Sequence, residues 1–183
     1  GVIIIMYTIG IIGYGGMGGH HPRQLLSLPE EFRLAGIYDI NPERIQAAEK
    51  DGIHGYPSLD AILSDPEIRT VILAVPNNFH KSLSIQAMKA GKNVICEKPV
   101  MLNAAELEEV IAVSKETGRQ FSVHQNRRWD KDFLIMKKVL EDGTIGKPFY
   151  IESRVQGSKG IPGDWRCVKE AGGGMLLDWG VHL

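Results

Sequence analysis

Short apolar runs alternate with amphipathic stretches through the first 125 residues. Tyr7-Thr8-Ile9-Gly10-Ile11-Ile12 is apolar and stops at glycine, as a strand buried on both faces does. Residues 18–32 carry Leu25, Leu26 and Leu28 among polar positions and predict a helix whose end Pro29 disrupts. Leu34 to Asp39 reads as a second strand. Asn41-Pro42-Glu43 then opens a helix through Lys50, with proline where its missing N–H costs nothing. Ser58 is placed to cap a short helix, Leu59 to Leu63. Thr70 to Val75 is a buried strand halted by Pro76, and residues 80–90 form a helix closed by Gly91. Asn93 to Cys96 is a strand, Asn103 caps a helix from Ala104 to Thr117, and Gln120 to Val123 is a further strand.

Strands that alternate with helices through short loops predict a parallel sheet covered on both faces. The pattern changes near Gln125. Phe133 to Leu140 is helical, Pro148 to Val155 alternates with the period of a strand, and a glycine-rich loop follows. The predicted division is 1–125 and 126–183. No internal repeat or low-complexity tract interrupts it.

Composition narrows the classes. The 183 residues are 43% hydrophobic, with 21 Lys plus Arg against 22 Asp plus Glu, a net charge of −1. Such a chain folds, and it offers no polybasic surface to nucleic acid or anionic lipid. The longest apolar stretch, Val2 to Gly13, has 12 residues, and a membrane-spanning helix needs about 20. No Lys or Arg precedes Arg23, so this stretch does not read as a signal peptide. Two cysteines, Cys96 and Cys167, read as reduced core thiols. The expected location is the cytoplasm.

Glycine says more than charge. Ten of the 21 glycines lie in two clusters, one from Gly10 to Gly19 and the other from Gly172 to Gly180. In the first, Gly13-Tyr14-Gly15-Gly16-Met17-Gly18 is G-x-G-x-x-G. The motif is common by chance, but here it follows a strand and opens a helix, the context it requires. Gly13 permits the turn, Gly15 lets a pyrophosphate approach the backbone, and Gly18 lets the helix pack on the strand. Asp39 ends the second strand, 21 residues after Gly18. An acid there accepts bonds from ribose hydroxyls and repels a 2′-phosphate. Together these predict dinucleotide binding, with NAD favoured over NADP because no cation adjoins Asp39; the nearest is Arg44.

Two more strand ends should border the nicotinamide, since ligands bind outside the carboxyl ends of such strands. They are Pro76-Asn77-Asn78-Phe79-His80 and Glu97-Lys98-Pro99. Lys98 is either a cleft cation or a surface charge. In the second glycine cluster, Asp178 and His182 stand at i and i+4 of an expected helix. They pair as a proton-transfer couple, or the histidine is simply half-buried in a capped helix. His20, His21, His54 and His124 show no metal-ligand spacing.

These motifs, in this order, resemble the glucose–fructose oxidoreductase and inositol dehydrogenase family (Gfo/Idh/MocA). The resemblance rests on Gly13 to Gly18, Asp39, Glu97-Lys98-Pro99, Gln125-Asn126-Arg127-Arg128-Trp129 and Gly172 to His182, and runs from about Met6 to the end of the chain. It implies an α/β fold: a Rossmann-type doubly wound parallel sheet, followed by the beginning of a second α+β substrate domain. It implies an NAD-dependent dehydrogenase acting on a sugar, polyol or related cyclic alcohol, without a metal. Lys98 would polarise the reacting oxygen, His182 would exchange the hydroxyl proton, and Asp178 would orient it or bind substrate. Gly13, Gly15, Gly16, Met17, Gly18 and Asp39 would bind the adenosine diphosphate part of the cofactor. Pro76, Asn77, His80 and Glu97 would lie on its nicotinamide side. Trp165-Arg166 falls in a loop where relatives place cofactor or substrate contacts.

Two other functions remain within the resemblance: a non-catalytic dinucleotide-sensing regulator, and an NAD-assisted sugar epimerase or glycosidase. Retention of Lys98, Asp178 and His182 favours the dehydrogenase. One expected strand in residues 126–183 cannot make a sheet, so a longer natural protein is expected, a homo-oligomer at full length. Residues 6–125 would still bind NAD, with Asp178 and His182 poorly held. Residues 1–5, ahead of Met6, are either an added segment or part of an alternative start.

Overall fold

The computed structural model describes residues 6–157 and 160–183, so residues 1–5 lie outside the described residues. The chain divides into two units, Gly1–Val123 and His124–Leu183.

In the first unit, five strands form one parallel sheet in the order β2-β1-β3-β4-β5. They are β1 (Tyr7–Ile12), β2 (Phe32–Tyr38), β3 (Thr70–Leu73), β4 (Asn93–Cys96) and β5 (Phe121–Val123). The connecting helices are α1 (His21–Leu26), α2 (Pro42–Lys50), α3 (Leu59–Ser64), α4 (His80–Lys89) and α5 (Ala104–Thr117). Parallel strands need such crossovers, which cover both faces of the sheet. The period of two sorts the side chains accordingly. Ile12, Val71, Leu73, Val94 and Cys96 join one buried cluster, while Ile9, Ile11, Ile37 and Ile72 join the other. Gly10 lies on the same face as Ile12 and has no room for a side chain: a Cβ there would lie 2.9 Å from Ile68 Cδ1.

The predicted caps form. Ser58 Oγ accepts from Ala61 N at 3.0 Å, and Asn103 Oδ1 accepts from Glu106 N at 3.0 Å. The Glu106 carboxylate returns the bond to Leu102 N at 3.2 Å, which satisfies another otherwise unpaired amide at the start of α5. Pro42 occupies the first turn of α2, and Asn41 caps it through Glu43 N at 2.9 Å.

The structure departs from the sequence pattern at α1 and at Cys167. The helix predicted over 18–32 is only the six residues of α1; the preceding glycines make turns, with Gly19 N bonding Gly15 O at 2.8 Å. Cys96 is a buried thiol, but Cys167 is exposed, so it is not a core residue. Burial pushes the Cys96 thiol up to about 12 and makes it a poor nucleophile.

The second unit contains a 3₁₀ turn at Asn126–Trp129, then α6 (Lys131–Glu141), two further 3₁₀ turns at Trp165–Cys167 and Lys169–Ala171, and α7 (Met175–Asp178), with a last turn at Gly180–His182. The strand predicted over Pro148 to Val155 is not formed. A strand exists by its hydrogen-bonded partner, and no strand of this unit is present among the described residues to pair with it. Phe149 is accordingly 100% exposed. No helix among the described residues is long and apolar enough to cross a membrane.

Candidate functional site

The glycine loop leaves the carboxyl end of β1, the central strand of the first three. Gly13 has φ +94°, and a Cβ there would sit 2.4 Å from Ala74 O, so both conformation and space demand glycine. A Cβ on Gly18 would lie 2.0 Å from Gly13 O. The loop is therefore closed on itself by contact of its first and last glycines. Gly16 is different: it is exposed, and nothing lies within 4 Å of its missing Cβ. Met17 braces the turn into α1, its carbonyl accepting from His20 N at 2.9 Å and His21 N at 3.1 Å.

Asp39 stands just past β2, at the edge of this loop. It is 4% exposed. Its Oδ2 accepts from Tyr14 N at 2.7 Å and its Oδ1 from Asn41 N at 2.8 Å. Oδ2 also stands 3.3 Å from Arg44 Nη1, whose half-exposed guanidinium reaches over Gly15. Asp39 and the Gly13–Gly18 loop thus form one structure in the fold. Arg44, five residues on in sequence, is folded back to Asp39 by the first turn of α2, so a cation does adjoin Asp39, contrary to the expectation from sequence.

The other two strand ends lie on the side of β1 away from β2, β3 paired with β1 and β4 with β3. After β3, Pro76 O accepts from Phe79 N at 3.0 Å, which sets a turn that buries Asn77. His80 begins α4 and is fully buried. Its Nδ1 is 2.9 Å from Pro99 O and its Nε2 is 3.0 Å from Val75 O. Burial pushes the imidazole pKa down, against the opposing pull of those carbonyls and of Glu97. After β4, Glu97 is buried and its Oε1 accepts from His21 Nε2 at 2.8 Å. Its Oε2 accepts from Lys98 N at 3.3 Å. Lys98 is half-buried, and the peptide joining it to Pro99 is cis.

In the second unit, Asp178 is buried at the end of α7 and accepts from Arg166 Nε at 3.0 Å. Arg166 Nη1 also bonds Asp164 Oδ2 at 2.7 Å, and its carbonyl accepts from Gly174 N at 2.9 Å. Gly173 must be glycine here, since a Cβ would meet Arg166 O at 2.3 Å. The second glycine cluster thus wraps the Trp165-Arg166 turn. The single helix expected to hold Asp178 and His182 is not formed. Hydrogen bonding changes from i−4 at Trp179 N to i−3 at His182 N, with Gly180, a weak helix former, between them. The His182 ring meets the Trp179 ring edge-on at 5.7 Å.

The sequence reading missed the pairing of His21 with Glu97, 76 residues apart. The only local signal was a histidine three residues after Gly18.

Residues 7–125 match the family described as oxidoreductase family, NAD-binding Rossmann fold. Residues 133–183 match the GFO/IDH/MocA C-terminal domain. The chain belongs to the GFO/IDH/MocA oxidoreductase family. It carries that family's NAD-binding Rossmann fold and the start of its C-terminal domain. It is 32% identical over 176 residues to a myo-inositol 2-dehydrogenase of Thermotoga maritima, covering 95% of this chain and 52% of the relative. It is 32% identical over 178 residues to a scyllo-inositol 2-dehydrogenase (NADP(+)) of Bacillus subtilis, covering 96% and 49%. An NAD-binding protein from Listeria innocua has a similar structure, with TM-score 0.93 and 48% identity, covering 96% of this chain and 52% of that one. The chain spans about half the length of the curated relatives it matches.

Proposed function

We propose that this chain, residues 1–125 with the first part of a substrate and oligomerisation domain from 126, belongs to an NAD-dependent dehydrogenase. Its substrate is a sugar, polyol or related cyclic alcohol, with inositols the first candidates because two relatives are named for them. The observation that supports it most is the joining of the glycine loop to Asp39 through Tyr14 N.

The residues suit the dinucleotide. Gly16 leaves the loop backbone open on one side, where a diphosphate needs close approach, and Gly15 faces the Arg44 guanidinium, a cation for that diphosphate. Asp39 keeps a fixed carboxylate for ribose hydroxyls, and its charge disfavours a 2′-phosphate. Gly13, Met17 and Gly18 hold the loop in shape. Pro76, Asn77, His80 and Glu97 build the strand ends on the nicotinamide side. NAD, when bound, supplies the acceptor for the hydride that leaves the alcohol carbon.

This chain's own residues handle the oxygen and its proton. Lys98, a cation, holds the substrate oxygen and stabilises the negative charge that develops as the carbonyl forms. His182 takes the hydroxyl proton, and Asp178 orients His182 or binds a neighbouring hydroxyl. The protein acts in the cytoplasm as a homo-oligomer.

The test is a panel of inositols, sugars and linear polyols offered with NAD to the protein at its natural length, watching NADH absorbance. Turnover on at least one cyclic polyol is expected. Tight NAD binding without turnover on any would mean a sensor, and product change without net NADH would mean an epimerase or glycosidase.

A further inference from the structure

Lys98 is the middle residue of Glu97-Lys98-Pro99, and a buried histidine stands within hydrogen-bond distance of each neighbour. His21, at the start of α1, holds the Glu97 carboxylate at 2.8 Å. His80, at the start of α4, stands 2.9 Å from the Pro99 carbonyl. We propose that His21 and His80 are positioning residues that fix Lys98 from both sides. The proposal rests on the reading of Lys98 as the catalytic cation.

Burial makes both grips effective. His21, Glu97 and His80 are 4%, 5% and 0% exposed, so water cannot replace either partner. The Glu97 carboxylate held by His21 also accepts from the Lys98 main-chain N–H, which ties the lysine backbone to α1. On the other side Pro99 has no N–H, so its carbonyl is that residue's only main-chain hydrogen-bonding group. His80 stands 2.9 Å from it and 3.0 Å from Val75 O; a neutral imidazole carries one N–H, so it donates to one of these carbonyls at a time while filling the space between the ends of β3 and β4. The two helices involved follow the glycine loop and the Pro76 turn. The lysine is thereby held by the same two segments proposed to border the cofactor. A displacement of about 1 Å at a reacting group can cost ~10²-fold in rate, so loss of either grip should appear in turnover before it appears in cofactor binding.

The experiment compares His21→Leu, His21→Gln and His80→Leu with wild type, and with Lys98→Met, in the protein at its natural length. It uses the polyol that gives NADH in the panel. His21→Leu should lower kcat by ~10²-fold with the Kd for NAD within about 3-fold of wild type. His21→Gln keeps an N–H donor for Glu97 and should recover at least ~10-fold of that loss. His80→Leu removes the imidazole donor altogether and should lower kcat by ~10-fold; it carries the test if His21→Leu does not fold. Wild-type kcat in His21→Leu or His80→Leu, no advantage of Gln over Leu at position 21, or equal loss of kcat and NAD affinity in His21→Leu would each overturn the proposal. If Lys98→Met loses turnover while the histidine variants keep it, only the positioning claim falls. Undiminished turnover in Lys98→Met, or no turnover of any polyol by wild type, would remove the reading beneath it as well.

Discussion

The main-chain N–H of Tyr14 donates to the Asp39 carboxylate at 2.7 Å, so the acid that would choose the cofactor also shapes the loop that would bind it. Replacing Asp39 by Ser therefore has two effects. The charge that repels a 2′-phosphate disappears, with Arg44 already 3.3 Å away as a cation, so the NADP to NAD ratio of kcat/KM should rise by ~10-fold or more. At the same time Tyr14 N and Asn41 N lose their acceptor, so affinity for both cofactors should fall. An unchanged ratio would show that the carboxylate does not meet the ribose.

The glycines of the loop should differ sharply. In Gly18→Ala the new methyl overlaps Gly13 O at 2.0 Å, a backbone atom that cannot move away without opening the turn. NAD binding should be lost, with Tm lowered by several degrees, a destabilisation of about 1–3 kcal/mol for overpacking. In Gly16→Ala nothing lies within 4 Å of the new methyl. Thermal unfolding should be unchanged, and any loss of NAD affinity then reports on close approach of the diphosphate. Thermal melts and NAD titration of the two variants decide it.

His80 predicts a pH dependence of stability. Burial lowers its folded pKa below the usual 6.5, so the unfolded chain binds the proton more readily. The contribution is complete above 6.5 and is lost as pH falls below it, with a slope of at most about 1.4 kcal/mol per pH unit. Denaturant melts of wild type and His80→Gln between neutral and mildly acidic pH should converge as pH falls. Parallel curves would show that His80 does not titrate on unfolding.

The sheet was legible because its information is local. Each strand announced itself by an apolar run ending at glycine, proline or a polar turn, and Ser58, Asn103 and Pro42 marked helix starts within one turn of where they occur. Glycine positions carried the loop for the same reason. What sequence could not show depends on distant partners. Pro148 to Val155 alternates like a strand, yet strand formation needs a neighbour that pattern does not supply. The helix expected through His182 changed its hydrogen-bond spacing around Gly180, which i, i+4 counting does not register. His21 and Glu97 meet only because the ends of β1 and β4 share one edge of the sheet.

In the proposed reaction the Lys98 ammonium stabilises oxygen during hydride transfer, and Lys98→Met removes it. Measured in the protein at its natural length with NAD and its polyol, turnover should fall by ~10²-fold or more, the loss expected for a transition-state donor. The Kd for NAD should stay within about 3-fold, since Asp39 and the glycine loop are untouched. Turnover close to wild type at undiminished NAD affinity would contradict the account and leave Lys98 a surface charge.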